Sequence, residues 1–289
     1  MEVYTVAVLV AIYLDQARVR VRPSTWRELD RGLRLLTNVY GSRLPLEVQA
    51  FDVEALVQVQ LGKVSAASTH KDMRSWRAFF NALLRWGMVE KNPVGGVPFP
   101  RLPRNFPSVL SVEETRRELV RAEETGPSIW GMVATALYAG LRKAELVYLR
   151  WADVGAESVL VRNSLEHQVK DFEEREIPLH VELRRILDRL PHDRLPWAFP
   201  SRQGRPWDPS NLRKHCIRAG LRGFHVLRRT FATNCLHCGI DVRTVQRWLG
   251  HADLQTTMRY LAADVGQRVD LINRLSYGVR EPSLFAVGG

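Results

Sequence analysis

The sequence predicts a mainly α-helical fold with a small β-sheet, divided between two domains. Three observations predict it. The chain has 289 residues, enough for two hydrophobic cores. Apolar residues recur with the helical period over most of that length, and only two short runs read as strands. Between the helical blocks lies Pro93 to Pro107, PVGGVPFPRLPRNFP, which holds five of the chain's 15 prolines together with Gly95 and Gly96. No helix or central strand crosses such a segment. It therefore divides the chain into a helical domain over 1–92, a linker over 93–107 and a larger domain over 108–289.

The first block opens with an uncharged apolar run, Val3 to Leu14. It is too short to span a membrane and follows Glu2 rather than a basic leader, so it reads as a buried first helix. Thr25 and Glu28 then fit a capping box, and Trp26, Leu29, Leu33 and Leu36 keep helical spacing until Gly41. Further helices are expected from about Asp52 to Gly62 and from about Ser68 to Gly87. In the second of these Met73, Trp76, Phe80, Leu83 and Leu84 make the expected core face, while Lys71, Arg74, Arg77 and Arg85 carry charge elsewhere.

In the second block Ser111 and Glu114 form another capping box. Apolar patterns predict helices over about 129–139 and 141–149. Val159 to Val161 and Glu176 to Leu179 read as short strands flanking a charged turn. Asp208 before Pro209 marks a helix start, and Asp241 caps another helix.

Composition narrows the function. Forty-two Lys and Arg against 31 Asp and Glu leave a formal charge of +11, which predicts a polyanionic partner, most simply nucleic acid. The excess is shared: residues up to Pro107 carry 15 basic and 9 acidic side chains, the remainder 27 and 22. Three cysteines make no disulfide framework, and no membrane segment is expected, so the chain reads as cytoplasmic. Cys235 and Cys238 form a C-x-x-C around His237, but no second ligand pair follows and the segment reads as packed helix interior.

Several chemistries lack their residues. No H-x-H or H-E-x-x-H pair supports a metal site, and Asp171, Glu173 and Glu174 sit on a turn beside Lys170 and Arg175. No glycine loop of the nucleotide-triphosphate kind is present, and G-x-S-x-G is absent. No cofactor is expected. What the second domain offers is a dispersed set of phosphate-binding groups. Arg142 and Glu145 lie three apart, neighbours on a helix face, so the carboxylate can orient the guanidinium. His225 and Arg228 share that spacing, His251 follows a helix-ending Gly250, and Tyr260 lies beyond a turn. Singly, each has an ordinary structural reading: a surface ion pair, a core tyrosine, a packed histidine.

In chain order, Arg142, Lys170, His225-x-x-Arg228, Leu249-Gly250-His251 and Tyr260 together resemble the tyrosine recombinase (phage integrase) family. Ala139-Gly140-Leu141-Arg142-x-x-Glu145-Leu146-x-x-Leu149-x-Trp151-x-Asp153 looks like its first arginine box. His225-x-Leu227-Arg228-Arg229-Thr230-Phe231-Ala232-Thr233 looks like its second, and Thr256-Thr257-x-x-Tyr260 like its nucleophile segment. The helices of the first block, Asn92-Pro93 and the basic linker look like the family's core-binding domain, so the resemblance covers nearly the whole chain. Arg229 stands where a His is common, and the turn after Lys170 is unusually acidic. No additional arm-binding domain is expected in front of the first block, as in the simpler, Xer-like members.

The resemblance implies an amino-terminal helical-bundle DNA-binding domain and a mixed α+β catalytic domain. It implies a site-specific DNA recombinase that cuts and rejoins duplex DNA through a 3′-phosphotyrosine, with neither metal nor nucleotide. Tyr260 would be the nucleophile, Arg142 and Arg228 the phosphate clamp, His225 and His251 proton donors or acceptors, Lys170 the general acid, and Glu145 the support of Arg142. Lys71, Arg74 and Arg77 would face DNA. Assembly would be a tetramer on two DNA sites, with room for a partner recombinase or a directionality factor. Leu271, Ile272, Leu275, Leu284 and Phe285 would form a tail passed to a neighbour or packed on its own subunit. Two readings compete. A type IB topoisomerase or hairpin-forming resolvase shares the nucleophile without exchanging strands between sites. A catalytically silent DNA-binding or architectural protein on the same scaffold has no need of Tyr260 with Lys170.

Overall fold

The structure, a computed structural model, describes residues 4–102, 108–163, 174–192 and 195–250. The chain divides into two compact units, Met1–Arg104 and Asn105–Gly289.

The first unit is built from α1 (Val6–Arg20), α2 (Pro23–Tyr40), α3 (Ala50–Leu61) and α4 (Ala66–Arg85). Helix α4 is its axis. Trp76, Phe79 and Phe80 are fully buried against Leu33 and Leu36 of α2 and Leu9 of α1. The α2–α4 approach is close enough to need Gly32: a Cβ there would sit 2.9 Å from Ser75 Cβ, and the Gly32 carbonyl accepts the Trp76 indole N–H at 2.8 Å.

Four expectations change here. Helix α1 is only half-buried, with Val8 and Ile12 facing water. Helix α2 begins earlier than the Thr25–Glu28 capping box, because Pro23 supplies a preset helical φ at the first position with Arg22 as cap. Thr25 and Glu28 therefore lie inside the helix. On α4 the buried stripe runs through Met73, Trp76, Phe79, Phe80 and Leu83, so Leu84 is 43% exposed. Finally, the first half of the proline-rich segment packs on this unit: Val94 and Val97 are buried in its core.

The second unit contains α5 (Val112–Thr125), α6 (Pro127–Tyr138), α7 (Lys143–Val147), β1 (Ser158–Val161), β2 (Arg175–Pro178), α8 (Val181–Asp188), α9 (Pro209–Arg218), α10 (Phe224–His237) and α11 (Val242–Leu249). Helix α6 is buried on every face from Ile129 to Leu137, as its nearly all-apolar sequence requires. It packs against α5, α8 and α10. The caps read from sequence are present: Ser111 with Glu114 opens α5, Asp208 opens α9 and Asp241 opens α11.

Strands β1 and β2 pair antiparallel, with Val161 opposite Arg175 and Ser158 opposite Pro178. Val159, Val161, Arg175 and Ile177 point inward while their neighbours do not. The C-x-x-C is not wholly helix interior. Cys235 is buried in α10, whereas Cys238 is the residue that ends it and is exposed. Among the described residues no helix is long and apolar enough to cross a membrane.

Candidate active site

The site assembles where α7, β2, α10 and the end of α11 meet in the second unit. Its first component depends on a turn. Gly140, at φ +65, stands where an added Cβ would lie 2.3 Å from the Phe231 ring, so the backbone reverses in a conformation and a space that exclude a side chain. The expected helix over 141–149 is thereby shortened to α7, and Arg142 becomes its cap residue rather than a position on its face. Glu145 accepts the Arg142 backbone N–H at 2.7 Å and the Arg142 Nη1 at 3.0 Å. One carboxylate thus starts the helix and holds the guanidinium.

Arg228 enters from α10 and is 3% exposed. Its Nη1 donates to the Gly140 carbonyl at 2.6 Å and its Nη2 to the Leu249 carbonyl. The same Nη1 lies 3.9 Å from Glu145 Oε2. Arg142 and Arg228, far apart in sequence, are therefore brought to one carboxylate and to consecutive carbonyls, since Arg142 Nη2 donates to the Gly250 carbonyl.

A third arginine, Arg175 on β2, was not among the residues read as a site from sequence. Its Nη1 and Nη2 fork onto Glu145 Oε1 and Oε2 at 3.0 and 2.7 Å, and its Nε donates to the Trp248 carbonyl at 2.7 Å. Strand alternation carried the signal. With Ile177 facing the core, Arg175 two residues earlier faces the same way, and a buried arginine needs a buried carboxylate.

Together the three arginines cap α11. The last carbonyls of a helix have no intrahelical partner and carry partial negative charge. Those of Trp248, Leu249 and Gly250 accept from Arg175, Arg228 and Arg142 respectively. Gly250 ends the helix with φ +58, packed so that a Cβ would lie 3.2 Å from Arg175 Nη1. Burial alone would push the Glu145 carboxyl up, but the Arg175 bonds and charge, the Arg228 charge and the Arg142 N–H outweigh it and hold it at about 2.

His225 lies one turn before Arg228 on α10 and is largely exposed. Partial loss of water around the ring, then Arg229 and Arg228, push its pKa below the usual histidine value, which favours neutral imidazole at neutral pH. Lys170, His251 and Tyr260 lie outside the described residues, as does the tail.

In the first unit Lys71 and Arg74 are exposed, Lys71 standing 3.8 Å from Glu28 Oε1. Arg77 differs. Its guanidinium covers the Phe99 ring at 4.3 Å and donates to the Val94 carbonyl at 3.3 Å, so much of it is spent in fastening the proline-rich segment. Arg74 and Arg77 line one cleft with His70, Asn81 and Phe99; Lys71 does not. Among the described residues no group of three or more His, Cys, Asp or Glu is placed to hold a metal ion. Burial and neighbouring Cys238 push the Cys235 thiol up to about 12.

Comparison with known proteins gives one consistent picture. The pattern of the Phage integrase family matches residues 113–266. A tyrosine recombinase XerD of Brucella suis biovar 1 is 34% identical over 224 residues, covering 67% of this chain and 71% of that one. A tyrosine recombinase of Pseudothermotoga lettingae is 30% identical over 230 residues, 75% of this chain and 77% of the relative. Among solved structures, the Tn1549 transposon integrase in complex with a circular intermediate DNA superposes with a TM-score of 0.76 at 19% identity, over 94% of this chain and 100% of that one. A lambda integrase dimer bound to a COC′ core site gives 0.73 at 17% identity, over 86% and 95%.

Proposed function

The chain belongs to the phage integrase family and is a tyrosine-type site-specific DNA recombinase, and from that premise we propose how its own residues carry out the reaction. The observation that carries the reading is the convergence of Arg142 and Arg228 on one carboxylate and on the backbone that runs directly into His251.

A phosphodiester is already anionic, and its pentacoordinate transition state gathers more charge on the non-bridging oxygens. Guanidiniums answer that charge with paired N–H donors and keep their own charge at any working pH. Both are held by backbone carbonyls before substrate arrives, so little reorganisation is needed when charge develops. His225, neutral near pH 7, can accept or return a proton beside them.

Tyr260 attacks phosphorus through its phenolic oxygen, giving a 3′-phosphotyrosine and expelling the 5′-oxygen. Lys170, in the segment joining β1 to β2, protonates that leaving oxygen, and His251 adds a donor to the phosphate. One ester is exchanged for another, so the bond's energy is retained and a 5′-hydroxyl from a partner strand can reverse the step. Residues 1–92, with Lys71 and Arg74 exposed on α4, serve as a second DNA-binding domain. Recombination proceeds in a tetramer on two sites; a lambda integrase tetramer bound to a Holliday junction has this fold, with a TM-score of 0.73.

The test is a nicked suicide duplex resolved on a denaturing gel. The wild-type chain is expected to form a covalent adduct, and Tyr260→Phe to bind the duplex without forming one. An adduct undiminished in Tyr260→Phe moves the nucleophile elsewhere.

A further inference from the structure

Three arginines surround Glu145, and they do not share it equally. Arg175 takes both oxygens in a buried two-pronged contact at 3.0 and 2.7 Å, with both side chains no more than 3% exposed. Arg142 has a single Nη contact at 3.0 Å, and Arg228 stands off at 3.9 Å. The carboxylate is the only acid that bridges these guanidiniums among the described ion pairs. Its negative charge is therefore a competitor for the two groups meant to receive a phosphate.

We propose that Arg175 is a positioning residue for strand cleavage: by engaging Glu145 bidentately and the Trp248 carbonyl through Nε, it keeps the carboxylate from closing on Arg142 and Arg228. The inference rests on those two arginines being the phosphate clamp, as argued above. Its physical basis is geometric. A carboxylate offers about four lone-pair sites, and a fork-to-fork arginine occupies the two directed at it. Remove the fork, and the buried carboxylate keeps only the Arg142 bonds and the more distant Arg228 charge to offset its own. The guanidiniums then nearest to it are those of Arg142, at 3.0 Å, and Arg228, at 3.9 Å. The site would then be self-neutralised, and an incoming phosphate would have to displace an internal anion.

This makes an unusual prediction about paired substitutions. If Arg175 merely fastens β2 to α7 and α11, then removing Glu145 as well as Arg175 removes more of the fastening and lowers activity further. If Arg175 restrains Glu145, removing the carboxylate relieves the defect.

The experiment measures single-turnover adduct formation on the nicked duplex, alongside the dissociation constant for the uncleaved duplex and the thermal midpoint. It compares the wild-type chain, Arg175→Gln, Glu145→Gln and Arg175→Gln/Glu145→Gln. Arg175→Gln is expected to slow adduct formation by about 10²-fold, the size of losing one transition-state donor, with duplex affinity within about twofold. Adding Glu145→Gln should recover at least about tenfold of that rate, whatever happens to the thermal midpoint. A double variant as slow as or slower than Arg175→Gln overturns the proposal.

Arg175→Lys is run through the same cycle in case the Gln variant does not fold. Lysine keeps the charge and loses the fork, so the defect should be smaller and still relieved by Glu145→Gln; no relief in the cycle that folds overturns the proposal. Tyr260→Phe serves as the separate control. An adduct persisting there indicts the nucleophile assignment, while the relief of Arg175 by Glu145 is read independently of which side chain is joined to DNA.

Discussion

At the residue scale, shape matters more than charge. Arg142 makes three different bonds: its backbone N–H and its Nη1 to Glu145, and its Nη2 to the Gly250 carbonyl. Lysine keeps the positive charge but is a single point of donation, so it cannot serve the carboxylate, the carbonyl and a phosphate from one plane. Arg142→Lys should therefore slow adduct formation by about 10²- to 10³-fold while leaving duplex affinity nearly unchanged. Equal loss of affinity and rate would mean that Arg142 only binds. Glu145 carries a prediction of a different kind. Its carboxyl is held at about 2, well below its unfolded value, so the stability it contributes is present above roughly pH 4.3 and is lost as pH falls toward 2. Full protonation should remove roughly 3 kcal/mol. Urea unfolding between pH 5 and pH 2.5 should accordingly steepen in the wild-type chain relative to Glu145→Gln; parallel curves would show that the arginines stabilise the two side chains alike.

At the scale of elements, what could be read in advance and what could not divide along local and non-local lines. Caps are local: Ser111, Asp208 and Asp241 accept from backbone N–H groups two or three residues on, and the chain announces them. The Thr25 box failed because a stronger local signal, Pro23 at the first helical position, lay two residues earlier. Arg142, Glu145 and Arg228 could be singled out by order and spacing, but not the way they are used. The Arg142–Glu145 pair is a helix cap instead of a face because Gly140 breaks the chain just before it, and that break depends on Phe231 of α10 standing 2.3 Å from where a Cβ would be. Strand alternation turns Arg175 inward, but its partners are tertiary. Nothing near it in sequence signals a carboxylate on α7 and a helix end on α11. Gly140→Ala tests the break directly. It forces a left-handed backbone on alanine and a methyl group into the Phe231 ring, so it should cost about 2–4 kcal/mol in urea unfolding. It should also slow adduct formation, since the Gly140 carbonyl anchors Arg228. A variant of wild-type stability would mean that the ring moves aside at little cost.

For the whole molecule, the governing quantity is the distribution of charge. A formal +11 would be compatible with a single basic patch, but the 15 basic side chains up to Pro107 and the 27 beyond it each exceed their acids by a similar margin. The second unit moreover encloses some of its arginines. Arg175 and Arg228 are buried on Glu145 and on helix-end carbonyls, where they order the site and add little to the outer field. The first unit's Lys71, Arg74 and Arg85 face water. Affinity for duplex DNA lacking any specific site should thus draw heavily on the first unit, and its salt dependence should report how many phosphates both units neutralise together. If the two units together neutralise about six to ten, the dissociation constant rises by about 10³- to 10⁵-fold between 50 and 200 mM salt. Replacing Lys71 and Arg74 together by alanine should flatten the logarithmic slope by about two contacts. Tyr260→Phe should leave it unaltered, because a phenol contributes no counterion release. A slope already shallow in the wild-type chain would place the binding on one unit alone, and the excess charge of the other would then need a different polyanion to explain it.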